Sequence, residues 1–218
     1  MMRTGLFALS LTALPLAATA EVDLSLYGGW QTAPHSDVTV NDPVITGGLD
    51  ETFFAEWEGR SFEMPPYYGI RATYWSGPTL GFGVDFTHAK VYATDETLRD
   101  NGYDRLEFTD GINTLTVNAY RRWPGAFGDV TPYVGAGLGL SIPYVEVDKN
   151  GSSTLGYQVT GPAATLLAGA SYELNDRWSL FGEYKFTYTS NKADLDTGGT
   201  IESDIILNAL NVGITYSF

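Results

Sequence analysis

Apolar and polar residues alternate one by one along eight separate stretches of the chain. In residues 67–75, Tyr68, Ile70, Ala72 and Tyr74 share one face, and Tyr67, Gly69, Arg71 and Thr73 the other. After the turn Ser76-Gly77-Pro78-Thr79, Leu80, Phe82, Val84 and Phe86 alternate with Gly81, Gly83, Asp85 and Thr87. Successive side chains of a β-strand point to opposite faces, so a period of two predicts strands, and the Gly-Pro turn joins these two as a hairpin. The same reading predicts strands over 22–31, 112–123, 130–140, about 162–174, 178–189 and 205–218.

The connections alternate as well. Those after Trp75, Trp123 and Leu174 are short; those after Gln31, Val91, Leu140 and Thr189 are long. Both termini fall on the short side. Short turns on one side, long loops on the other and an even strand count predict an all-β fold, an eight-stranded antiparallel up-and-down transmembrane β-barrel of the outer-membrane type. Strands of roughly ten residues, rising about 3.3 Å each at a tilt near 40°, climb roughly 25 Å, the height of an apolar band.

Face chemistry then sets the inside and the outside. On 205–218, Leu210, Val212, Ile214, Tyr216 and Phe218 oppose Ala209, Asn211, Gly213, Thr215 and Ser217; on 178–189, Leu180, Tyr184, Phe186 and Tyr188 oppose Ser179, Glu183, Lys185 and Thr187. A water-soluble binding barrel turns its large apolar residues inward; a membrane barrel turns them toward lipid. Trp30, Tyr74, Trp75, Trp123, Tyr172 and Trp178 near strand ends read as aromatic girdles. Phe218 has the form of the terminal aromatic that the barrel assembly machinery reads. Eight strands leave a lumen that side chains fill. Arg71, Asp85, Glu173, Glu183 and Lys185 carry inward parity and predict a buried ionic plug, with Arg71 facing Asp85. Such a plug disfavours a diffusion pore and a proton path.

Residues 1–20 have a lone Arg3, an apolar core and Ala18-Thr19-Ala20, the form of a cleaved secretory signal peptide; the barrel is expected over 21–218. The chain has no cysteine, so an exported fold gains no disulfide. Its 26 acidic against 12 basic residues argue against nucleic acid as a partner. Membrane lipids are the expected surroundings of a single-chain, monomeric barrel.

Chemistry is expected at the outer rim. Strand 80–91 climbs away from the short-turn side and brings His88 to the outer-leaflet interface, in parity with Phe82, Val84 and Phe86, facing lipid. Imidazole serves there as base, proton donor or metal ligand. An interfacial histidine that only hydrogen-bonds a phosphate is the plainer alternative. Lys90 shares that face. Glu63, Glu107, Asp110, Glu146 and Asp148 sit at the outer ends of the strands, and His88, Glu63, Glu107 and Asp110 are a candidate divalent-metal set without a spacing signature. His35-Ser36-Asp37 is discounted as a triad, because triad members converge in space and rarely adjoin in one loop. The chain has no glycine-rich nucleotide fingerprint, so no nucleotide cofactor is expected.

Phe62-Glu63-Met64-Pro65-Pro66-Tyr67-Tyr68-Gly69-Ile70-Arg71, Asp85-Phe86-Thr87-His88-Ala89-Lys90-Val91-Tyr92 and Leu106-Glu107-Phe108-Thr109-Asp110-Gly111 resemble the lipid A oxidase family of small outer-membrane barrels. Pro132-Tyr133-Val134-Gly135-Ala136-Gly137 continues the likeness, though that segment is common among small barrels. The resemblance covers most of residues 21–218. It implies an alphaproteobacterial outer-membrane oxidoreductase acting on lipid A of lipopolysaccharide. Such an enzyme uses dioxygen to convert the proximal glucosamine to 2-aminogluconate and releases hydrogen peroxide; a divalent metal ion fits the family. No catalytic residue is carried over from the family. Geometry alone nominates His88 as base or metal ligand, Glu107 and Asp110 as catalytic orienters or ligands, and Arg60, Lys90 and Arg105 as holders of lipid phosphate through charge-assisted bonds. Two alternatives remain: a non-enzymatic structural or adhesin barrel, and a lipid A deacylase. The His-x-Ser expected of a deacylase is absent at His88, where Ala89 and Lys90 follow.

Overall fold

The computed structural model describes residues 21–218, apart from the side chains of residues 109 and 110. The expected signal peptide lies outside the described residues. The described strands are β1 (Glu21–Thr32), β2 (Ser36–Asn41), β3 (Asp50–Ala55), β4 (Trp57–Glu58), β5 (Tyr68–Trp75), β6 (Leu80–Ala93), β7 (Arg105–Arg122), β8 (Val130–Lys149), β9 (Ser152–Tyr157), β10 (Gly161–Asn175), β11 (Trp178–Asp194) and β12 (Thr200–Ser217), with one short helix, α1 (Asp95–Asn101). Eight of them close an antiparallel ring in the order β1-β5-β6-β7-β8-β10-β11-β12, and β12 returns to β1. These are the eight strands expected, and closure leaves the ring without free edges.

The four outer segments differ from expectation. Residues 32–64 fold as the β2–β3 hairpin, laid on β12, and β4, paired with β6. Residues 92–111 hold the end of β6, α1 and the start of β7. β8 continues to Lys149 and folds back as β9, while β11 and β12 run on to Asp194 and from Thr200. At 20 residues, β8 rises roughly 50 Å, about twice an apolar band.

The extension is hidden from a single-period reading because the alternation changes sense partway along the extended strands. On β12, Asn211 and Thr215 are buried inside while Val212 and Leu210 are exposed outside; farther out, Leu207, Ile205 and Ile201 are buried inside while Asp204 and Glu202 face out. Val145 and Val147 on β8 and Val38 and Val40 on β2 are likewise buried, and join Leu106, Phe108 and Trp57 in one apolar core. The lower half is thus built for lipid outside and polar groups inside, and the upper half for water outside and an oily core. A polarity reversal that keeps its period reads in sequence as loss of the lipid-facing strand.

Inside the lower half the ionic plug is present. Arg71 bridges Asp85 through Nε (2.8 Å) and Glu183 through Nη1 and Nη2 (2.9 and 2.7 Å). Lys185 Nζ donates to Thr87, Tyr27 and Asp85 at 2.6, 3.0 and 3.1 Å, and Tyr133 and Asn211 donate to Glu183. Two cations meet two carboxylates. Glu173 does not join them: it is exposed near the short-turn end, where it helps line a cavity of about 480 Å³ below the plug. Trp75 is corrected too. It is buried and faces the lumen, donating Nε1–H to Asp23 at 2.7 Å, whereas Trp30, Tyr74, Trp123, Tyr172 and Trp178 are exposed as girdle residues are.

Candidate functional site

The hairpin register that pairs Arg71 with Asp85 also pairs Tyr68 with His88. Across the next two strands the row continues through Asn113 to Ile142. His88 keeps its expected outward parity just above Phe86. It is nevertheless only 4 % exposed. Tyr68 stacks on its ring at a centroid distance of 5.3 Å and 28° between planes. On the other side β7 bulges: Phe108 to Ile112 on β7 spans only Val91 to Ala89 on β6. The bulge turns at Gly111, whose φ is +94°. A Cβ there would collide with His88 Nδ1, so Gly111 both permits the backbone turn and leaves room for the ring.

Nδ1 of His88 lies 2.9 Å from Asn113 Oδ1. With the amide oxygen as acceptor, Nδ1 carries the proton and Nε2 is the basic nitrogen of the ring. Asn113 and Tyr68 thereby hold the orientation of the ring, and Nε2 itself is buried. Neither partner was singled out from the sequence, although the pairing arithmetic that gives Arg71 opposite Asp85 gives Tyr68 opposite His88.

A second outward row stands above it, running Glu58, Tyr92, Glu107, Glu146, Leu155 across β4, β6, β7, β8 and β9. Arg60 lies over the Tyr92 ring at 4.2 Å and pairs with Glu58 at 3.0 Å and Glu63 at 4.0 Å. Arg105 is ringed by Glu146 at 2.5 Å, Glu107 at 3.4 Å and Asp148 at 3.9 Å. Both arginines thus have carboxylates already. Lys90 differs. It is 2 % exposed, its Nζ donates to the Met64 carbonyl at 2.9 Å, and no carboxylate of a described residue pairs with it. Among the described residues, Lys90 alone of the three expected phosphate holders has no carboxylate partner.

Of the expected metal set, the structure describes the side chains of His88, Glu63 and Glu107. Glu63 is exposed beside Arg60 and Glu107 turns to Arg105, and among the described residues no three His, Asp or Glu side chains gather into a metal-binding group. Asp110 lies in the β7 bulge, but its side chain is outside the described residues. His35 is structural: its Nδ1 accepts from the Trp57 backbone N–H at 2.9 Å, and Ser36 Oγ accepts from Trp57 Nε1 at 2.9 Å.

Burial, and then the neighbouring Glu146 carboxylate, push Glu107 up to about 7, with Arg105 opposing. A carboxyl raised in the folded state stabilises most below its unfolded value, and that contribution is lost as pH rises through about 7. Tyr92, Arg60, Arg105 and Glu146 face it. Glu107→Gln is therefore expected to raise stability above about pH 8 by roughly 1 kcal/mol, discounted for partial exposure, with little effect below about pH 5. Denaturant midpoints of the folded barrel in bilayers at the two pH extremes measure this; equal midpoints for both chains at high pH would contradict it.

A model of the outer membrane protein beta-barrel domain matches residues 4–218. Among solved structures, Neisserial surface protein A is similar at 18 % identity, with a TM-score of 0.50, over 91 % of this chain and 97 % of that one. The outer membrane protein AlkL, determined in DMPC bilayers, is similar at 15 % identity with a TM-score of 0.51, over 100 % and 97 %. At these identities both speak for the fold alone. An uncharacterised protein of Brucella abortus (strain 2308) is 26 % identical over 202 residues, 72 % of this chain and 67 % of that protein.

Proposed function

The chain belongs to the outer membrane protein beta-barrel domain family, and we propose that it is the barrel of an outer-membrane enzyme that oxidises lipid A at the proximal glucosamine. The observation that carries this reading is His88, an imidazole with outward parity at the lipid-facing rim, fixed by Asn113 and Tyr68 under the Gly111 bulge. The resemblance of residues 62–71, 85–92 and 106–111 to lipid A oxidases supplies the reaction class.

The substrate is a hemiacetal whose C1 phosphate has already been removed. His88 is the base for the C1 hydroxyl proton, and because its Nε2 is buried the sugar reaches it only by displacing the groups that cover the ring. The C1 hydrogen leaves with two electrons, and dioxygen accepts them with two protons to form hydrogen peroxide. The lactone so formed takes up water and opens to the 2-aminogluconate, a net gain of one oxygen atom. Lys90 pairs with the remaining lipid phosphate as a charge-assisted donor. Glu107, which shares a hydrogen bond with Glu146, is the carboxyl placed to hold a proton near neutral pH.

Expression in a host that makes 1-dephosphorylated lipid A, followed by mass spectrometry of that lipid, tests the reading. One added oxygen is expected, only with dioxygen present. Loss of an acyl chain would assign a deacylase. Unchanged lipid A would leave a non-enzymatic surface barrel, a reading favoured by the packed upper half, whose apolar core makes a rigid platform above the membrane.

A further inference from the structure

Between β4 and β5 the chain forms a strap, residues 59–67, whose base and tip are chemically opposite. The base is pinned. Ser61 is buried, its Oγ accepts from Gln31 N at 2.8 Å and donates to Gln31 O at 3.1 Å, and Tyr67 N donates to Ser61 O at 2.8 Å. The middle is tied to the barrel wall through Lys90 Nζ and the Met64 carbonyl. The tip is left outside: Phe62 is 77 % and Met64 83 % exposed. Two large apolar side chains held outward by a hydrogen-bonded base cost free energy in water, about 25 cal/mol for each Å² of apolar surface.

The position of the strap names what relieves that cost. Its midpoint touches Lys90, four residues beyond Phe86 on the outward face of β6. At about 2.5 Å of rise per residue this is roughly 10 Å above Phe86, the boundary between acyl chains and head groups. On the far side of the His88 row, Tyr157 at the end of β9 and Val159 in the connection to β10 are further exposed apolar side chains. We infer that the tip of the strap, Phe62 and Met64, is inserted among the acyl chains of the outer leaflet. It forms one wall of a lipid-lined approach to His88, and the strap roofs Lys90. Insertion itself follows from the placement of the barrel; that the neighbouring lipid is lipid A rests on the proposed function.

The chain has no cysteine, so one substitution gives one label. Phe62→Cys and Met64→Cys chains, carrying a nitroxide and folded into phosphatidylcholine bilayers, are compared with labels at Leu138→Cys in the apolar band and at Leu49→Cys. Leu49 is also exposed and apolar, but lies in the turn between β2 and β3, at the outer end of β12. The strap labels are expected to show a ratio of oxygen to water-soluble nickel-chelate collisions close to that of Leu138 and several-fold above that of Leu49. A ratio equal to that at Leu49 overturns the inference. The measurement reads insertion without any oxidation, so an inactive barrel with an inserted tip would sink the enzymatic reading and leave this one standing.

Discussion

An Arg71→Ala chain is expected to lose about 3–5 kcal/mol of stability, the cost of breaking a buried ion pair by removing one partner. Among the described residues, Arg71 is the only side chain that bridges Asp85 and Glu183, and it does so with three donors. Its removal leaves two buried carboxylates with Lys185 as their one remaining cation. Arg71→Lys is expected to fall between, because a point charge cannot span both carboxylates as the planar fork does. Replacing the group together, Arg71→Met and Lys185→Met with Asp85→Asn and Glu183→Gln, is expected to recover much of the loss, since the penalty lies in unpaired charge more than in absent attraction. Denaturant unfolding in bilayers measures all three. A loss within about 1 kcal/mol for Arg71→Ala, the scale of a single neutral hydrogen bond, would show that water or rearrangement satisfies the carboxylates and that the plug is not the clamp described.

The lower half of this barrel was legible in the sequence because lipid imposes a single rule on every strand, apolar outward and polar inward. That rule placed Arg71, Asp85, Glu183 and Lys185 in the lumen. Glu173 obeys the parity but lies too near the short-turn end to reach the others, and parity says nothing about height. Trp75 shows the same limit in reverse: an aromatic near a strand end reads as girdle whichever face it occupies. The upper half was not legible as strand, because water replaces lipid there and the sense of the alternation reverses. Ile205, Leu207 and Asp204 read as strand start and loop until the reversal is recognised.

The site was legible in part. Parity put His88 on the outer rim, and Lys90 beside it. The burial of His88 depends on a bulge in a neighbouring strand, and a bulge is a register event that spacing does not reveal. The one local signal was Gly111, a glycine between a polar run and the start of a strong strand pattern. The partners of the expected metal ligands were hidden for a different reason. Glu63 and Glu107 each stand beside an arginine, and a sequence reading that gathers acidic residues by height alone does not see which have partners.

On the lipid A oxidation reading, His88→Ala is expected to lower turnover by about 10²–10⁴-fold, the range ascribed to a positioned general base. His88 lies outside the ionic plug and outside the apolar core of the upper half, so the variant should still fold. Retained compact migration on unheated gels checks that first. A base is then distinguished from a packing residue by chemical rescue. The substitution empties a slot of imidazole size between Tyr68 and Gly111, and added imidazole is expected to restore a measurable fraction of the lost rate, whereas no small molecule of that kind should rescue His88→Gln, which fills the slot without supplying a base. Asn113→Leu keeps the ring but removes a hydrogen-bond partner that orients it, and is expected to cost roughly 10-fold or more, as loss of an orienting partner does. Full oxidation by a folded His88→Ala chain would remove His88 from the chemistry even if wild-type lipid A oxidation were established, while absence of oxidation in the wild type would instead reject the reaction and leave the role of the ring to packing.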